Sequence, residues 1–461
     1  MKKENIIRRI SKSFSLNIEK YMPDPWIWAM ALTILAFVMA FFLTPSSPIE
    51  IIEHWAGGFS YFLSFSMQMV LVLVTGTCLG TAPIFKRLVR AIARLPKGRT
   101  MPYVYTVVIC AITGYINWGL SFVLGALLAK QIAIENERTD FPLLVSAAFC
   151  GAYCGIYGLS NAPQLAVASP GHSTEQWLGV IPITETTTNW ENTLTLIIIT
   201  VVIAFLFKLM APFDEDARTL TRLGIAQELA EEEAAVLRAM DTKNMDKSDW
   251  GFAQKIENSV ILTGIFVVVG MIYVVYYFAT KGFDLNLNII NFLFIILGMA
   301  FHKTPASYLS ACKEAVKSTW SLILQFPWYG GILVIMINTG LVDIIANWFV
   351  SFSTRETLPF WQYIAAGIIN FFIPSGGGQW AVQGPIAAIA ANELGTKGSL
   401  IVSAVAYGDI ATNYLQPFWA LPMLSMAGLK VKDIWGTTMI AGVAYIIIVA
   451  VSMFLQGMFV V

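Results

Sequence analysis

One acidic residue of this 461-residue chain lies deep inside an apolar segment. Asp409 belongs to VAYGDIATNYLQP, residues 405–417, whose composition is typical of a membrane-spanning helix. An ionisable group inside a bilayer is costly and usually has a function. Asp409 could bind a proton or help to coordinate Na⁺. The alternative is a structural role, in which the carboxylate accepts hydrogen bonds from backbone amides at a neighbouring helix break.

Polar residues and glycines interrupt the apolar sequence at four places. These breaks are NWG at 117–119, SNAP at 160–163, PSGGG at 374–378 and NYLQP at 413–417. A proline removes a backbone donor and frees a carbonyl one turn earlier, which can accept from an amide or coordinate a cation. Glycines let backbone N–H groups approach a ligand closely. The structural alternatives are a tight turn for the glycines and hydrogen bonding between helices for the amides.

The sequence offers no Lys or Arg near the middle of a span to hold an anion. A negatively charged substrate would then be held by neutral donors and by the positive ends of half-helices. The candidate substrate-binding residues lie at the four breaks: Asn117, Trp118, Gly119, Ser121, Ser160, Asn161, Ser375, Gly376, Gly377, Gly378, Gln379, Asn413 and Gln416. The candidate ion-coupling residues are Asp409, Asn117, Asn370 and Asn413, and the coupling ion is H⁺ or Na⁺.

The elements that position these residues are predicted to be helices in lipid. Hydrophobic residues make up 57% of the chain and charged residues 13%, and the formal net charge is zero. The apolar runs are long enough to span a bilayer, so the chain is expected to lie in membrane lipid. A net charge of zero gives no overall positive field that would attract nucleic acid. The three histidines fall in predicted loops and no Walker-type motif is present. We therefore expect no enzyme, no organic cofactor and no transition-metal site.

The apolar runs predict an all-α polytopic protein with about nine crossings and two re-entrant hairpins. The predicted spans are 26–43, 60–82, 142–168, 193–211, 258–280, 287–301, 318–345, 399–427 and 434–460, and the hairpins are 103–130 and 362–392. With the N-terminus inside and the C-terminus outside, cytoplasmic segments hold 25 Lys and Arg residues and outer segments three. This distribution follows the positive-inside rule.

The same pattern occurs twice along the chain. Asn117 precedes Asn370 by 253 residues, and Asn161 precedes Asn413 by 252. We predict repeat 1 at 1–211, a cytoplasmic linker at 212–257, a connecting span at 258–280 and repeat 2 at 287–461. The connecting span would invert the second repeat, as in many secondary transporters whose site lies between two repeats. The linker includes 228–240, which has helix-forming composition. The linker is predicted to be a simple connector, with a regulatory or partner-binding role as the alternative.

Four motifs resemble the bacterial short-chain fatty acid transporter family, whose familiar member carries acetoacetate and butyrate. They are MPDPWIWAMALT (22–33), INWGLSFVLGALLAKQ (116–131), FFIPSGGGQWAVQGP (371–385) and QPFWALP (416–422). The resemblance covers essentially the whole chain. It implies transport of short carboxylates and a place in the ion-transporter superfamily, with inverted repeats, two hairpins, broken helices and dimers that move as elevators. Asp409 stands where a relative has Glu, and Gln379 stands where His can occur.

These observations predict a secondary active transporter of short-chain monocarboxylates in the bacterial cytoplasmic membrane. We expect symport with H⁺ or Na⁺ by an elevator mechanism, and a homodimer. A dicarboxylate or amino-acid-derivative carrier is the alternative within transport. A passive anion channel is the alternative outside it, and would require a continuous polar pore.

Overall fold

The computed structural model describes residues 25–226, 250–282, 284–317, 319–371 and 373–460. These residues form helices joined by short connections, and no strand occurs among them. The all-helical architecture predicted from the sequence is therefore confirmed for this part of the chain. The helix-forming segment 228–240 of the linker and the first residues of MPDPW lie outside the described residues.

The first half of the chain contains twelve helices within residues 25–226. They are α1 (Pro25–Leu43), α2 (Pro48–Gly58), α3 (Leu63–Thr81), α4 (Pro83–Ala93), α5 (Met101–Ile116), α6 (Trp118–Glu135), α7 (Phe141–Gly155), α8 (Ala162–Val167), α9 (Glu175–Leu178), α10 (Ile183–Thr186), α11 (Trp190–Met210) and α12 (Leu220–Leu223). Several of them begin with a proline in the first turn, where the missing N–H costs no intrahelical hydrogen bond.

The second half begins with α13 (Phe252–Glu257). It continues with α14 (Val260–Lys281), α15 (Leu287–His302), α16 (Pro305–Val316), α17 (Trp320–Asn338), α18 (Leu341–Phe352), α19 (Leu358–Asn370), α20 (Gly376–Leu394), α21 (Gly398–Asn413), a 3₁₀ turn (Pro417–Ala420), α22 (Leu421–Ala427) and α23 (Val431–Phe459). The order of elements from α16 to α23 matches the order from α2 to α11, except that two short helices, α9 and α10, have no counterpart. Hairpin 1 (α5 and α6) matches hairpin 2 (α19 and α20), and the broken helix α7–α8 matches α21–α22.

The helices differ in length from the nine predicted spans. Among the described residues, six helices are long and apolar enough to cross a membrane, and a seventh results if one bent pair is counted. That pair, α17 and α18, bends by 76°, so the predicted span 318–345 was wrong at its end, because Leu341 already begins the next helix. The predicted spans 142–168 and 399–427 are each divided into separate helices. The number of crossings stays a prediction.

Each hairpin packs closely against the broken helix that follows it. A Cβ on Gly151 or Gly155 of α7 would collide with backbone atoms of α5 at Val107 and Ala111. In the second half, a Cβ on Gly408 of α21 would meet the Tyr363 carbonyl of α19. Small residues let neighbouring helix backbones approach, which is the usual source of helix association in lipid. Each hairpin and its broken helix therefore form one packed unit.

The segment after α11 is fastened to the start of α7. Asp140 caps α7 by accepting from the Leu143 N–H at 2.9 Å. The Asp140 carboxylate also accepts from the Arg218 backbone N–H at 3.0 Å and from the Arg218 guanidinium at 3.0 and 3.1 Å. The Arg218 carbonyl accepts from the Phe141 N–H. A two-point guanidinium–carboxylate contact of this kind is strong and directional.

Two of the histidines expected in loops lie in helices. His54 is in α2 and His302 is the last residue of α15. His302 is 7% exposed, and its two ring nitrogens lie 2.9 Å from the Ser307 hydroxyl and 2.9 Å from the Cys78 carbonyl. The prediction failed for His54 because α2 is short and lacks the apolar run on which a span was predicted, and for His302 because α15 extends one residue beyond the predicted span 287–301. Both ring nitrogens of His302 have partners in its surroundings.

Candidate functional site

One cavity lies where both hairpin tips meet both broken helices. It contains about 550 Å³ of space not filled by atoms, including its open mouth. The lining residues are Met69, Trp118, Phe122, Tyr153, Ile156, Asn161, Ala162, Leu322, Ser375, Gly376, Gly377, Asp409, Ile410, Asn413 and Trp419. Asp409 is the only charged residue among them.

The tip of hairpin 1 is a single residue between two helices. Asn117 caps α6, and its Oδ1 accepts from the Leu120 N–H at 2.8 Å. The buried Asn117 Nδ2 finds no hydrogen-bond partner among the described residues. A Cβ on Gly76 of α3 would collide with this amide, so a glycine is required there. The tip is thereby fixed against α3.

Hairpin 1 is also joined to the break of α7–α8. The Trp118 N–H donates to the Ser160 hydroxyl at 3.1 Å, and the Leu159 N–H donates to the Tyr115 carbonyl at 2.6 Å. Ser121 donates to the Cys110 carbonyl at 2.8 Å inside the hairpin. Ser160 and Ser121 thus hold the backbone that shapes the cavity, without lining it.

The tip of hairpin 2 lies between Asn370, the last residue of α19, and Gly376, the first residue of α20. Ser375 caps α20 and accepts from the Gly378 N–H at 3.4 Å. The Trp419 indole N–H donates to the Pro374 carbonyl at 2.6 Å. A Cβ on Gly376 would lie 3.2 Å from Asp409 Oδ2. The first residue of α20 therefore lies beside the carboxylate, and any larger residue there would crowd it.

Two predicted residues of hairpin 2 point away from the cavity. A Cβ on Gly378 would lie 2.6 Å from the Tyr329 ring of α17. Gln379 is fully buried between α19 and α20, where it donates to the Ala366 carbonyl at 2.9 Å and to Gln383 Oε1 at 2.9 Å. Gly378 therefore lets α20 pack against α17, and Gln379 joins the two helices of hairpin 2.

Asp409 sits within a network of amides. Asn370 Nδ2 donates to the Asp409 carbonyl at 2.7 Å and to Asn413 Oδ1 at 3.1 Å. Asn413 Nδ2 donates to the same carbonyl at 3.0 Å, and Gln416 donates to the Asn370 carbonyl at 2.6 Å. This network holds the backbone of Asp409. The side-chain Oδ1 is buried and has no hydrogen-bond partner among the described residues.

Two helices of more than two turns begin at the cavity. Trp118 is the first residue of α6, and Gly376 and Gly377 are the first two residues of α20. The first backbone N–H groups of a helix have no intrahelical acceptor, and the helix dipole adds a partial positive charge there. The start of α20 thus offers N–H donors to an anion, whereas the Trp118 and Leu120 N–H groups of α6 already donate to Ser160 and Asn117, so that α6 contributes mainly its dipole.

An aromatic wall forms one side of the cavity and consists of Trp118, Phe122, Tyr153 and Trp419. The Trp118 ring centroid lies 5.6 Å from that of Trp419 and 6.0 Å from that of Phe122. Phe122 lies 5.7 Å from Tyr153. The rings come from hairpin 1, α7 and the 3₁₀ turn, and they present a continuous apolar surface.

Seven predicted substrate-binding or ion-coupling residues line the cavity, and the others surround it. The lining members are Trp118, Asn161, Ser375, Gly376, Gly377, Asp409 and Asn413. The surrounding members are Asn117, Gly119, Ser121, Ser160, Asn370, Gly378, Gln379 and Gln416. Sequence reasoning missed Met69, Phe122, Tyr153, Ile156, Ala162, Leu322, Ile410 and Trp419. Most of these are apolar residues of buried helices, which no local signal distinguishes, whereas Trp419 lies in the QPFWALP motif.

Transition-metal chemistry has no ligand set in the described ranges. No three His, Cys, Asp or Glu side chains come together there. An alkali cation differs in being held by carbonyl, amide and carboxylate oxygens. Asn161 Oδ1, Asn370 Oδ1 and Asp409 Oδ1 are buried oxygens to which no described residue donates a hydrogen bond. Such oxygens are costly to bury unless water, a proton or a cation satisfies them.

The sequence is similar to a known protein family over nearly its whole length. The family model described as "Short chain fatty acid transporter" matches residues 6–459. A relative from Escherichia coli (strain K12) is 35% identical over 446 residues, which cover 96% of this chain and 99% of the relative. A relative from Haemophilus influenzae Rd is 33% identical over 443 residues, covering 95% and 97%. Both relatives carry names that assign them provisionally to short-chain fatty acid transport.

A solved transporter shares the fold. The crystal structure of the YdaH transporter of Alcanivorax borkumensis, whose topology is described as unusual, matches with a TM-score of 0.55 at 13% identity. The match covers 94% of this chain and 98% of that one. Together with the apolar helices, these similarities identify a multi-pass membrane protein.

Proposed function

Because the chain belongs to the short chain fatty acid transporter family, we propose that it is a secondary active transporter of short-chain monocarboxylates. Butyrate and acetoacetate represent the substrate class. One observation carries the proposal: the N-termini of α6 and α20 meet a single carboxylate, Asp409, in an otherwise largely apolar cavity.

The substrate carboxylate binds between the two hairpin tips. The Gly376 and Gly377 N–H groups at the start of α20 donate to it, and the positive end of the α6 dipole faces it from the other hairpin. No Lys, Arg or His is among the lining residues. A second carboxylate on the substrate would have no such partner, so this lining favours a monoanion over a dicarboxylate.

The acyl tail packs against the aromatic wall. Burying apolar surface contributes roughly 25 cal/mol per Å², so a chain of a few carbons gains affinity there. Met69 of α3 and Leu322 of α17 add further apolar surface to the lining. The tail is enclosed by apolar groups, and the carboxylate faces the helix ends.

Asp409 couples transport to an ion. An ionised carboxylate and an anionic substrate repel each other in a cavity of low dielectric. The substrate therefore binds when Asp409 carries a proton or when Na⁺ neutralises the site. A Na⁺ ion would be held near Asp409, Asn117 and Asn370, with Asn413 supporting the backbone. This requirement links substrate occupancy to ion occupancy, which is symport.

Alternating access moves the two hairpins and the two broken helices as one unit. The scaffold, defined as α3 and α17, contacts this unit at the hairpin 2 tip: Gly377 faces the Phe65 ring and Gly378 faces the Tyr329 ring. Sliding of the unit along α3 and α17, with two inverted repeats in a homodimer, would carry the cavity across the membrane of a bacterial cell.

Counterflow in proteoliposomes tests this proposal. We expect labelled butyrate to exchange saturably with internal unlabelled butyrate, and a pH or Na⁺ gradient to drive accumulation. Short acids also cross lipid in their neutral form, so protein-free liposomes supply the background. Replacing one gradient at a time identifies the ion. Linear flux without exchange would indicate a channel instead, and exchange of dicarboxylates but not butyrate would indicate the alternative carrier.

A further inference from the structure

Helix α4 carries an unusual concentration of positive charge beside the membrane-spanning helices. Residues 83–102 contain six Lys and Arg residues and no Asp or Glu: Lys86, Arg87, Arg90, Arg94, Lys97 and Arg99. The helix itself has 11 residues, from Pro83 to Ala93. It is too short to span a bilayer, and it directly follows α3, which is long enough to span.

Three different surfaces run along α4. Val89 and Ala93 are buried against the protein, and the Phe85 ring lies 5.6 Å from that of Phe301. Ile84 and Leu88, one helical turn apart, are 52% and 50% exposed. Arg87, Arg90 and Arg94 follow a spacing of three and four residues, which places them along one side of a helix. A helix with buried, exposed apolar and basic sides fits the boundary between lipid tails and headgroups.

The matching helix of the second half lacks the basic side. Helix α18 (Leu341–Phe352) follows α17 as α4 follows α3, and it also has exposed apolar side chains, including Trp348. Its only charged residue is Asp343. The basic side therefore belongs to α4 and is not a general requirement of the fold.

We propose that α4 and the turn after it bind the headgroups of anionic phospholipids. Ile84 and Leu88 enter the acyl region, and Arg87 and Lys97, both exposed, face the phosphates. Arginine in particular matches phosphate geometry, because its planar guanidinium donates two parallel hydrogen bonds. The lipid binding goes beyond the proposed transport function and does not depend on it, whereas its effect on transport rests on that function.

Bound lipid would act on hairpin 1, because α4 is attached to it. A Cβ on Gly80, just before α4, would lie 2.9 Å from Val123 of α6. Arg94 forms an ion pair at 3.0 Å with Glu135, the last residue of α6. The surface lies at the opposite end of α6 from the cavity. Anionic lipid should therefore change the rate of the carrier movement more than the substrate KM.

Native mass spectrometry of the full-length protein can count bound lipids. We expect the wild type to retain phosphatidylglycerol in preference to phosphatidylcholine at low salt. Each basic residue near an anionic surface contributes about fivefold in affinity. The affinity of the double variant Arg87→Gln/Lys97→Gln for phosphatidylglycerol should therefore fall about 25-fold. The matched control Lys281→Gln/Lys397→Gln, which removes two charges from exposed positions elsewhere in the chain, should retain the preference.

A charge-conserving variant, Arg87→Lys/Lys97→Arg, distinguishes an effect of lost charge from an effect of misfolding. This variant should keep the preference for phosphatidylglycerol. Rising salt should reduce the preference of the wild type toward that of the double variant. Equal retention of both lipids by the wild type would overturn the proposal. So would an equal loss of preference in the Lys281/Lys397 control. Neither result would bear on butyrate counterflow, which tests the transport function separately.

Discussion

The two hairpins occupy matching places in the fold, but their tips are built differently. Hairpin 1 turns at one residue, Asn117, whose side chain caps α6 and fits against Gly76 of the scaffold. Hairpin 2 turns over residues 371–375, and side chains from the following broken helix hold it: Trp419 binds the Pro374 carbonyl and Gln416 binds the Asn370 carbonyl. The first tip is fixed by its own cap, and the second is fixed by its neighbours.

The ionisable group of the cavity, Asp409, belongs to the second half of the chain. Asp409 contacts the tip of hairpin 2. At the offset of 252 that relates Asn161 to Asn413, the first half has Tyr157, whose hydroxyl donates to Ser403 at 2.6 Å. Each half thus places the start of a helix at the cavity, whereas the carboxylate in its lining comes from the second half alone. Under the proposed mechanism, both halves contribute to substrate binding and the second half carries the ion coupling.

Asp409→Asn is expected to have the largest effect, because it removes the coupling carboxylate. If the ion is H⁺, a pH gradient of one unit supports up to about tenfold accumulation for each proton carried. The variant should accumulate no more than protein-free liposomes, while still exchanging labelled for unlabelled butyrate. Both are measured on the same proteoliposomes. Tyr157→Phe is the matched control and should remain coupled. If Asp409→Asn accumulated butyrate as the wild type does, ion coupling would not depend on the carboxylate of the second half.

Gly376→Ala should weaken substrate binding, because its methyl group would lie 3.2 Å from Asp409 Oδ2 and 3.5 Å from Pro163. We expect the KM for counterflow to rise about tenfold, equivalent to roughly 1.4 kcal/mol. Gly264→Ala is the control, since no atom lies within 4 Å of the position that its Cβ would take. An unchanged KM in Gly376→Ala would place the substrate away from the start of α20.

Trp419→Phe should loosen hairpin 2 and leave hairpin 1 unchanged. The variant keeps a ring beside Trp118 but loses the donor to the Pro374 carbonyl, and an unpaired buried polar group costs about 1–3 kcal/mol. Hydrogen exchange followed by mass spectrometry should show faster exchange in peptides covering 373–378. Peptides covering 115–121 should not change. Trp435→Phe, which removes a 2.8 Å bond to the Leu415 carbonyl, serves as the control and should leave the 373–378 peptides as in the wild type.

Removing the helix caps at Asn117 and Ser375 should have the smallest effects, and the stronger cap should cost more stability when it is lost. Asn117 accepts at 2.8 Å and Ser375 at 3.4 Å. Loss of a helix N-cap costs about 1 kcal/mol. Asn117→Ala should therefore lower the thermal unfolding temperature in detergent by more than Ser375→Ala does. The reverse order would show that hairpin 2 depends on its cap more than on Trp419 and Gln416.

The sequence was sufficient to predict the class of fold and the family. Apolar runs, broken by asparagine, proline and glycine, predicted an all-helical membrane protein, and the motifs predicted the family to which the chain belongs. The breaks were informative because polar residues have a specific reason to occur in lipid. They placed Trp118, Asn161, Ser375 and Asp409 among the candidates, and the structure brings these residues to one cavity.

Other features depend on contacts that sequence patterns do not encode. The matched pair Asn117 and Asn370 differ in position: Asn117 caps α6, whereas Asn370 ends α19, five residues before the cap of α20. An offset counted along the chain cannot show that one tip is longer than the other. Trp419 reaches Pro374 across 45 residues, and no local pattern indicates that bond. Helices α2, α4, α16 and α18 lack long apolar runs and were not predicted.

The contact between Asp140 and Arg218 has a practical consequence for experiments on this protein. It closes the first half on itself, because the segment beyond α11 is held by the start of α7. Covalent continuity after residue 226 is then not needed to keep that segment in place. Two polypeptides, one ending at 226 and one beginning at 250, should assemble when they are co-expressed. Each half could then be labelled, mutated or exchanged between relatives independently of the other.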